Sequence, residues 1–361
     1  MANIIIKITV ILTFLFSILG CEKASTSSTI KPIDALKQHV SNLHNDDKFS
    51  GSILIAKNEE VLLHEAIGYF NRAEKKTLDT DAQFRLGSLN KMFTSIGILM
   101  LVEEGSVDLD ETIGTYLPNF KNKSLSESVT VHHLLTHTGG TGDIFGPMFD
   151  KNKLSLKSHD DYVRLFEGRE ATMPPGNTFQ YSNFGFILLG KIIENVSGQD
   201  YYAFLKENLF KKLGMNATGF EPEVRVSKNL TKGYMRLENK WVDNKDTLPW
   251  RGTAAGGAYS TTADLFKFAV ALQNEKIISR ETLDLATTKH IAMGDAGYGY
   301  GFGIFRQGDA FFYGHNGGAP GMSSWLSTYP NSGYIVIVLS NYDPPIADEI
   351  QRFYVEQLGF E

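Results

Sequence analysis

The chain contains the stretch Ser88-Leu-Asn-Lys-Met-Phe-Thr-Ser-Ile-Gly-Ile-Leu-Met-Leu-Val102, in which a serine and a lysine three residues apart precede an apolar run. The apolar residues recur at mostly helical spacing and Gly105 is a natural stop, so the pattern predicts a helix that begins at Ser88. Residues three apart share a helix face, which brings the Lys91 amine within reach of the Ser88 hydroxyl. The pair therefore fits a nucleophile with its base, although alone it also fits an N-cap serine beside a solvated lysine.

A second Ser-x-x-Lys occurs at Ser28-Thr-Ile-Lys31, in the Ser/Thr-rich stretch 24–30. That stretch is too polar and featureless to hold a nucleophile rigidly, so the local setting favours Ser88. For Lys91 to act as a base near pH 7, desolvation or neighbouring positive charge must lower its pKa by several units.

Two further motifs follow in the chain. Tyr181-Ser-Asn183 comes after the turn Pro174-Pro-Gly-Asn177 and before the apolar helical run 184–193. His315-Asn-Gly317 follows the strand-like segment 310–313. Isolated matches also occur at Tyr69-Phe-Asn71, Tyr329-Pro-Asn331 and His137-Thr-Gly139. No single match is therefore decisive. The order of the three motifs along the chain and the local setting of each indicate that they line one cleft.

With these motifs in this order, the chain resembles the serine beta-lactamase and penicillin-binding-protein superfamily, in particular the class C beta-lactamase-related branch that includes DD-peptidases and esterases. The likeness covers roughly residues 33–358. It includes three further family-like stretches, Leu134-Leu-Thr-His-Thr-Gly139, Gly256-Gly-Ala-Tyr-Ser-Thr261 and Tyr298-Gly-Tyr-Gly-Phe-Gly303.

The resemblance implies catalytic roles for residues of the first two motifs. Ser88 is expected to be the nucleophile, with Lys91 as its base or the partner of its base. The Tyr181 phenol would relay a proton to the leaving group and later to water. Asn183 would bind the substrate's amide or ester side chain.

The resemblance also assigns roles around the third motif. The backbone N–H groups of Ser88 and Gly318 would form the oxyanion hole. His315 would face the nucleophile across the cleft, and with Asn316 and Gly317 it would bind substrate. Beta-lactamases usually carry Lys-Thr-Gly at this motif to grip a carboxylate, whereas a histidine with its ordinary pKa near 6.5 is mostly neutral at pH 7.

The resemblance therefore implies hydrolysis of a peptide, amide or ester through an acyl-enzyme, as in DD-carboxypeptidases, D-aminopeptidases and esterases, with at most weak beta-lactam turnover. The alternative is an envelope sensor or binding protein that recognises penicillin without turning it over. Both predict a monomer that takes a small substrate and needs no cofactor.

Composition excludes some other classes. The chain has 361 residues, 42% hydrophobic and 21% charged, which is enough for a large core. A net charge of −6 and the lack of a Lys/Arg run argue against a nucleic-acid partner. A metal hydrolase is a rival because His132, His133 and His137 cluster, but no Glu follows His133 as H-E-x-x-H requires.

The amino terminus predicts export. Residues 1–20 carry a lone Lys7 and a short apolar run, and Ile18-Leu-Gly-Cys21 resembles a bacterial lipoprotein cleavage box. We expect 1–20 to be a signal peptide, Cys21 to be lipidated, 21–31 to be a flexible tether and 32–361 to be the hydrolase domain. The protein would then sit in the bacterial cell envelope, periplasmic or at the outer surface, held to the membrane by its lipid. An uncleaved anchor or a plain secretory peptide stays open.

The pattern along the chain predicts an α+β fold of the α/β-sandwich type. Its antiparallel sheet would be built from both chain ends, with flanking helices and an inserted, mainly helical lobe at about 92–250. The Tyr298–Gly303 alternation predicts one close-packed strand. The other strand-like segments are Gly51–Lys57, Val61–Tyr69, Ala310–Tyr313, Ser323–Tyr329 and Tyr334–Ser340, and helices are expected at Ile33–Leu43 and Ile346–Leu358.

Overall fold

The computed structural model describes residues 23–307 and 310–359. Its main element is an eight-stranded antiparallel sheet with the order β2-β1-β14-β13-β12-β11-β10-β9. The strands are β1 (Gly51–Lys57), β2 (Glu60–Ile67), β3 (Tyr69–Asn71), β4 (Lys76–Thr77), β5 (Phe84–Arg85), β6 (Tyr234–Leu237), β7 (Lys240–Asp243), β8 (Tyr259–Ser260), β9 (Ile291–Met293), β10 (Ala296–Tyr298), β11 (Gly303–Gln307), β12 (Ala310–Ala319), β13 (Met322–Tyr329) and β14 (Tyr334–Ser340). Strands near the amino terminus thus pair with strands near the carboxyl terminus.

Helices cover both faces of this sheet and form the lobe inserted into it. They are α1 (Lys23–Asn45), α2 (Lys91–Glu103), α3 (Ile113–Tyr116), α4 (Lys123–Ser128), α5 (Val131–Leu135), α6 (Pro147–Asn152), α7 (His159–Phe166), α8 (Asn183–Ser197), α9 (Tyr201–Leu205), α10 (Thr262–Gln273), α11 (Arg280–Ala286) and α12 (Ile346–Gln357). Single turns of 3₁₀-helix lie at Gly87–Asn90, Glu223–Arg225 and Lys245–Thr247, and a π-helical turn follows α9 at Lys206–Phe210.

The central strands are buried on both faces, and alternation divides their side chains between two cores. In β1, Ile53 and Ile55 pack with α1 and α12, whereas Leu54 and Ala56 pack with the inserted lobe. Full burial of such an aliphatic side chain stabilises the fold by about 1.5–3 kcal/mol. The sheet is therefore fixed in register from both sides, and its face toward the lobe is a stable platform for a site.

The predicted fold class is confirmed, including the antiparallel sheet from both chain ends and the flanking helices. The stretch 298–303 is not one strand, because β10 ends at Tyr298, Gly301 adopts a φ of 75° in a turn, and β11 begins at Gly303. Similarly, Gly68, with a φ of 104°, separates β2 from β3.

The predicted signal peptide and Cys21 lie outside the described residues. Helix α1 begins at Lys23, inside the segment 21–31, so the role of that segment as a tether stays a prediction. Helices α2–α9 and the β6–β7 hairpin fall within the predicted lobe at about 92–250. Within 23–307 and 310–359, none of the helices has the length and apolar character that a membrane span requires.

Candidate active site

The Ser88 turn, residues Gly87–Asn90, packs closely against strand β12. Ser88 lies in the 3₁₀ turn Gly87–Asn90, which leads directly into α2. A Cβ atom at Gly317 would lie 1.9 Å from the Leu86 carbonyl oxygen, and one at Gly87 would lie 2.9 Å from the Gly318 nitrogen. Side chains are excluded at both glycines, so the turn and the strand make backbone contact, and the Gly318 N–H lies beside the nucleophile turn.

The Lys91 amine is completely buried one turn above Ser88. Its Nζ lies 3.3 Å from the Ser88 hydroxyl, 2.7 Å from Asn183 Oδ1 and 2.5 Å from the Ala255 carbonyl oxygen. Burial lowers the pKa of Lys91 to about 7, against the opposing effect of the Asp143 carboxylate. A large fraction of this amine is therefore neutral at neutral pH.

The three partners of Lys91 fix what the neutral amine can do. The Asn183 amide oxygen and the Ala255 carbonyl oxygen can only accept, so they take the two N–H bonds of a neutral amine. The remaining lone pair then faces the Ser88 hydroxyl, the one partner that can donate a proton. This is the geometry of a general base beside a nucleophile.

The Tyr181 phenol lies beside Ser88 and Lys91, in the loop before α8. The Lys91 Nζ lies 4.7 Å from the centroid of the Tyr181 ring, and the His137 ring lies 4.3 Å from it. Burial raises the pKa of Tyr181 above its ordinary value, and a hydrogen bond with Ser88 opposes that rise. The phenol therefore keeps its proton at neutral pH and can donate it.

Asn183, the first residue of α8, connects Lys91 to a carboxylate. Its amide oxygen accepts from Lys91, and its amide nitrogen donates to the two Asp143 carboxylate oxygens at 2.9 and 3.2 Å. Asp143 thereby fixes the amide orientation that presents oxygen to Lys91.

His315 is buried in β12 and both of its ring nitrogens have partners. Nδ1 lies 2.5 Å from the Asn316 carbonyl oxygen, and Nε2 lies 2.9 Å from the Tyr298 hydroxyl. Burial lowers the pKa of His315 to about 4, with a contribution from the nearby Lys91 charge. The ring is therefore neutral at pH 7.

The partners assign a directed chain of hydrogen bonds behind the site. The Ser182 backbone N–H donates to His137 Nδ1 at 3.1 Å, which leaves the His137 proton on Nε2, 3.2 Å from the Tyr298 hydroxyl. The Tyr298 hydroxyl accepts this hydrogen bond and donates its own proton to His315 Nε2. His315 Nδ1–H in turn donates to the Asn316 carbonyl. The chain ties the Tyr181 loop to β12 through two neutral imidazoles.

In a comparison with known protein families, the Beta-lactamase family profile matches residues 36–359. The chain belongs to the Beta-lactamase family. Penicillin-binding protein 4* of Bacillus subtilis (strain 168) is 30% identical over 317 residues, which cover 81% of this chain and 68% of that protein. The chain spans about two thirds of the length of the curated relatives it matches.

Solved structures of the Beta-lactamase family share the fold. The crystal structure of penicillin binding protein from Bacillus halodurans has a TM-score of 0.81 at 32% identity, over 89% of this chain and all of that one. D-amino acid amidase from Ochrobactrum anthropi SV3 has a TM-score of 0.78 at 24% identity, over 91% of this chain and 99% of that one, which shows likeness of fold.

For this Beta-lactamase family member, the structure brings Ser88, Lys91, Tyr181 and Asn183 together, and it places the side chain of one residue of the third motif elsewhere. The Asn316 side chain points away from the cleft and donates to Asp348 Oδ1 of α12 at 2.8 Å. Neighbouring side chains in a strand alternate between faces, so His315 on the cleft face places Asn316 on the opposite one. Gly317 serves close packing against Leu86 instead of presenting a side chain.

Sequence reasoning missed the wall of the cleft that holds Lys91. The Asn90 amide donates to the Thr253 carbonyl at 3.2 Å and accepts from the Ala258 N–H at 2.9 Å. These bonds fix segment 252–258 so that the Ala255 carbonyl meets Lys91. The family-like Gly-Gly at 256–257 was the signal, because a Cβ atom at Gly256 would lie 3.2 Å from the Gly87 carbonyl oxygen.

The histidines of the rival metal hypothesis have other partners. His132 Nδ1 lies 2.8 Å from the Tyr300 hydroxyl, and His133 caps the start of α5 through its backbone and its ring. His137 belongs to the chain behind Tyr181. Across residues 23–307 and 310–359, no three His, Cys, Asp or Glu residues are grouped as a metal would require.

Proposed function

We propose that the protein is a serine hydrolase that cleaves an ester or amide bond through an acyl-enzyme on Ser88. The observation that carries this proposal is the buried Lys91 amine, whose pKa is lowered to about 7 and whose Nζ lies 3.3 Å from the Ser88 hydroxyl. Two relatives are named penicillin-binding proteins, which supports a site that recognises an amide-containing molecule.

In the proposed acylation step, the Ser88 oxygen attacks the substrate carbonyl carbon and its proton passes to Lys91. The Ser88 and Gly318 N–H groups stabilise the oxyanion, and loss of one such donor typically lowers the rate by about 10²- to 10³-fold. The bond to the leaving group then breaks, Tyr181 supplies the proton that group needs, and the Lys91 ammonium restores the phenol. Deacylation repeats the sequence with water as the nucleophile.

The third motif favours substrates without a carboxylate next to the scissile bond. A carboxylate near His315 would meet a neutral ring whose two nitrogens are already hydrogen-bonded. The Asp143 carboxylate lies on the opposite side of Lys91 and adds negative charge. We therefore propose esters, amino-acid amides or peptides cleaved away from a free carboxyl end, in preference to carboxypeptidase substrates or efficient beta-lactam turnover.

Turnover of p-nitrophenyl acetate and of D-amino-acid amides tests the proposal. We expect Ser88→Ala to abolish turnover. The matched control is Ser28→Ala, which removes the serine of the other Ser-x-x-Lys and should leave the rate unchanged. Full activity in Ser88→Ala would overturn the proposal.

A penicillin-recognising sensor is the second candidate, favoured by the names of the penicillin-binding relatives. Mass spectrometry with penicillin separates the two functions. A lasting adduct on Ser88 without turnover of any ester or amide would favour the sensor, whereas loss of the adduct over time together with product release would favour the hydrolase.

We also propose that the protein is a monomer of the bacterial envelope, lipid-anchored through Cys21. Metabolic labelling with a palmitate analogue should mark the wild type and not Cys21→Ser. Equal labelling of both would refute the anchor without affecting the hydrolase proposal.

A further inference from the structure

A cavity of about 450 Å³ opens directly beside Ser88. One wall comes from two segments of the inserted lobe, 144–153 and 246–249, and the other from the end of β12 through Met322. A volume of this size lies within the usual range for small-molecule sites. Ser88 and Asn183 line its floor.

The walls of this cavity are mainly apolar, and the apolar side chains include Ile144, Phe149, Tyr162, Leu248, Pro249 and Met322. Phe145 is 61% exposed at the mouth and packs edge-on against Phe149, with ring centroids 5.2 Å apart. The two aromatic rings extend the apolar surface from the interior to solvent. An apolar surface that stays open beside a nucleophile is suited to binding an apolar group.

The charged residues of the cavity lie at its rim. Asp150 and Asp246 are exposed, and the Lys153 ammonium donates to the Asp246 backbone carbonyl. The Trp250 N–H donates to the Lys153 carbonyl at 3.1 Å. Lys153 therefore joins the two wall segments, and among the described lining residues its ammonium is held by the Asp246 backbone carbonyl.

The cavity lies on the acyl side of the site. Its lining contains Ser88 and Asn183 but neither Tyr181 nor His315, both of which the structure describes. A leaving group must approach the Tyr181 phenol to receive its proton. The part of the substrate that stays on Ser88 is therefore the part that can enter the cavity.

Resting on the proposed hydrolase function, we propose that the cavity binds an apolar acyl group that lacks a carboxylate, so that the preferred substrates carry a hydrocarbon acyl chain or an aromatic acyl side chain. Each methylene buried in such a cavity should raise kcat/KM by roughly three- to fourfold.

The test is a series of p-nitrophenyl esters with one leaving group and acyl chains from acetate through butyrate to hexanoate. We expect kcat/KM to rise with each methylene and to fall when the chain ends in a carboxylate, as in the succinate monoester. Lengthening the alcohol of acetate esters should change kcat/KM much less. A flat acyl series, or a steeper alcohol series, would overturn the proposal.

Variants of the cavity wall test whether the preference for longer acyl chains arises in the cavity. Leu248→Asp places a carboxylate in the cavity wall and should lower the hexanoate-to-acetate ratio of kcat/KM by about tenfold or more. The control is Val224→Asp at a 78% exposed position outside the cavity, which should keep the wild-type ratio. Leu248→Asn serves if Leu248→Asp does not fold. A wild-type ratio in the folded Leu248 variant would contradict the assignment.

The kinetic results distinguish a failure of the cavity assignment from a failure of the hydrolase proposal. Acetate turnover that depends on Ser88, combined with no gain from longer acyl chains, would refute the cavity assignment and leave the hydrolase intact. Absence of Ser88-dependent turnover on every ester and amide would refute the hydrolase itself.

Discussion

At the Lys91 side chain, burial is unfavourable for the charged amine, and this lowers its pKa enough for the neutral form to be populated at neutral pH. Its pKa is lowered from 10.5 to about 7, so the neutral, reactive form gains population as pH rises through 7. We expect kcat/KM for an ester to increase from about pH 5 and to level off above about pH 8. A profile that stays flat through this range, or rises only near 10, would contradict the role of Lys91.

A substitution of Lys91 shows whether this residue acts as a base or only as a fixed positive charge. Lys91→Arg keeps the charge but cannot lose its proton near neutral pH. We expect Lys91→Arg to lower kcat/KM by about 10²- to 10⁴-fold, as much as Lys91→Ala does. Near-normal esterase activity in Lys91→Arg would show that only the charge is needed.

The Tyr298 hydroxyl is a positioning group, because it joins His137 and His315 behind Tyr181. Tyr298→Phe leaves two buried imidazole nitrogens without that partner and should lower the free energy of unfolding by about 1–3 kcal/mol. We also expect kcat to fall, because the Tyr181 loop and β12 lose their connection. Chemical denaturation and steady-state kinetics measure the two effects.

Tyr300→Phe is the matched control for Tyr298→Phe. It removes another tyrosine–histidine hydrogen bond, with His132, in the same segment but away from Ser88. We expect some loss of stability in Tyr300→Phe with kcat retained. Equal loss of kcat in both variants would mean that the effect is general destabilisation.

At the scale of elements, the contact between the Ser88 turn and β12 positions the two N–H groups of the proposed oxyanion hole. Gly317→Ala would place a Cβ atom 1.9 Å from the Leu86 carbonyl oxygen, so the turn and the strand must separate. Since the Ser88 and Gly318 N–H groups would no longer converge, we expect kcat/KM to fall by about 10²- to 10³-fold. Steady-state ester hydrolysis measures this effect.

Gly168→Ala is the control, because a Cβ atom there meets open space. It should leave kcat/KM within error of the wild type. Unchanged activity in Gly317→Ala would refute the proposed contribution of the Gly318 N–H.

The helix and strand boundaries show how much of the fold the sequence could predict. Helix α2 follows from its apolar period, and the placement of Ser88 and Lys91 on one face follows from helical geometry. The turn at Gly301 and the outward direction of Asn316 depend on strand boundaries, which a local pattern locates poorly. The pattern places the third motif after a strand that ends at Tyr313, whereas β12 continues to Ala319, so the face on which Asn316 lies could not be predicted.

At the scale of the whole molecule, the site depends on contacts between distant parts of the chain. Lys91 meets Asn183 and Ala255, 92 and 164 residues away, and only the folded sheet and lobe bring them together. The order of motifs and a family resemblance predicted the shared cleft of Ser88, Lys91 and Tyr181. Asp143, Asn90 and the apolar cavity carry no such local signal, because their roles arise from tertiary packing.

The central claim is that Lys91 activates Ser88 for covalent chemistry. Intact-mass measurement after reaction with a fluorophosphonate, followed by peptide mapping, tests it most directly. We predict one adduct, on Ser88, formed quickly by the wild type and far more slowly by Lys91→Arg. The absence of an adduct, an adduct on another serine, or equal rates in the two proteins would contradict the claim.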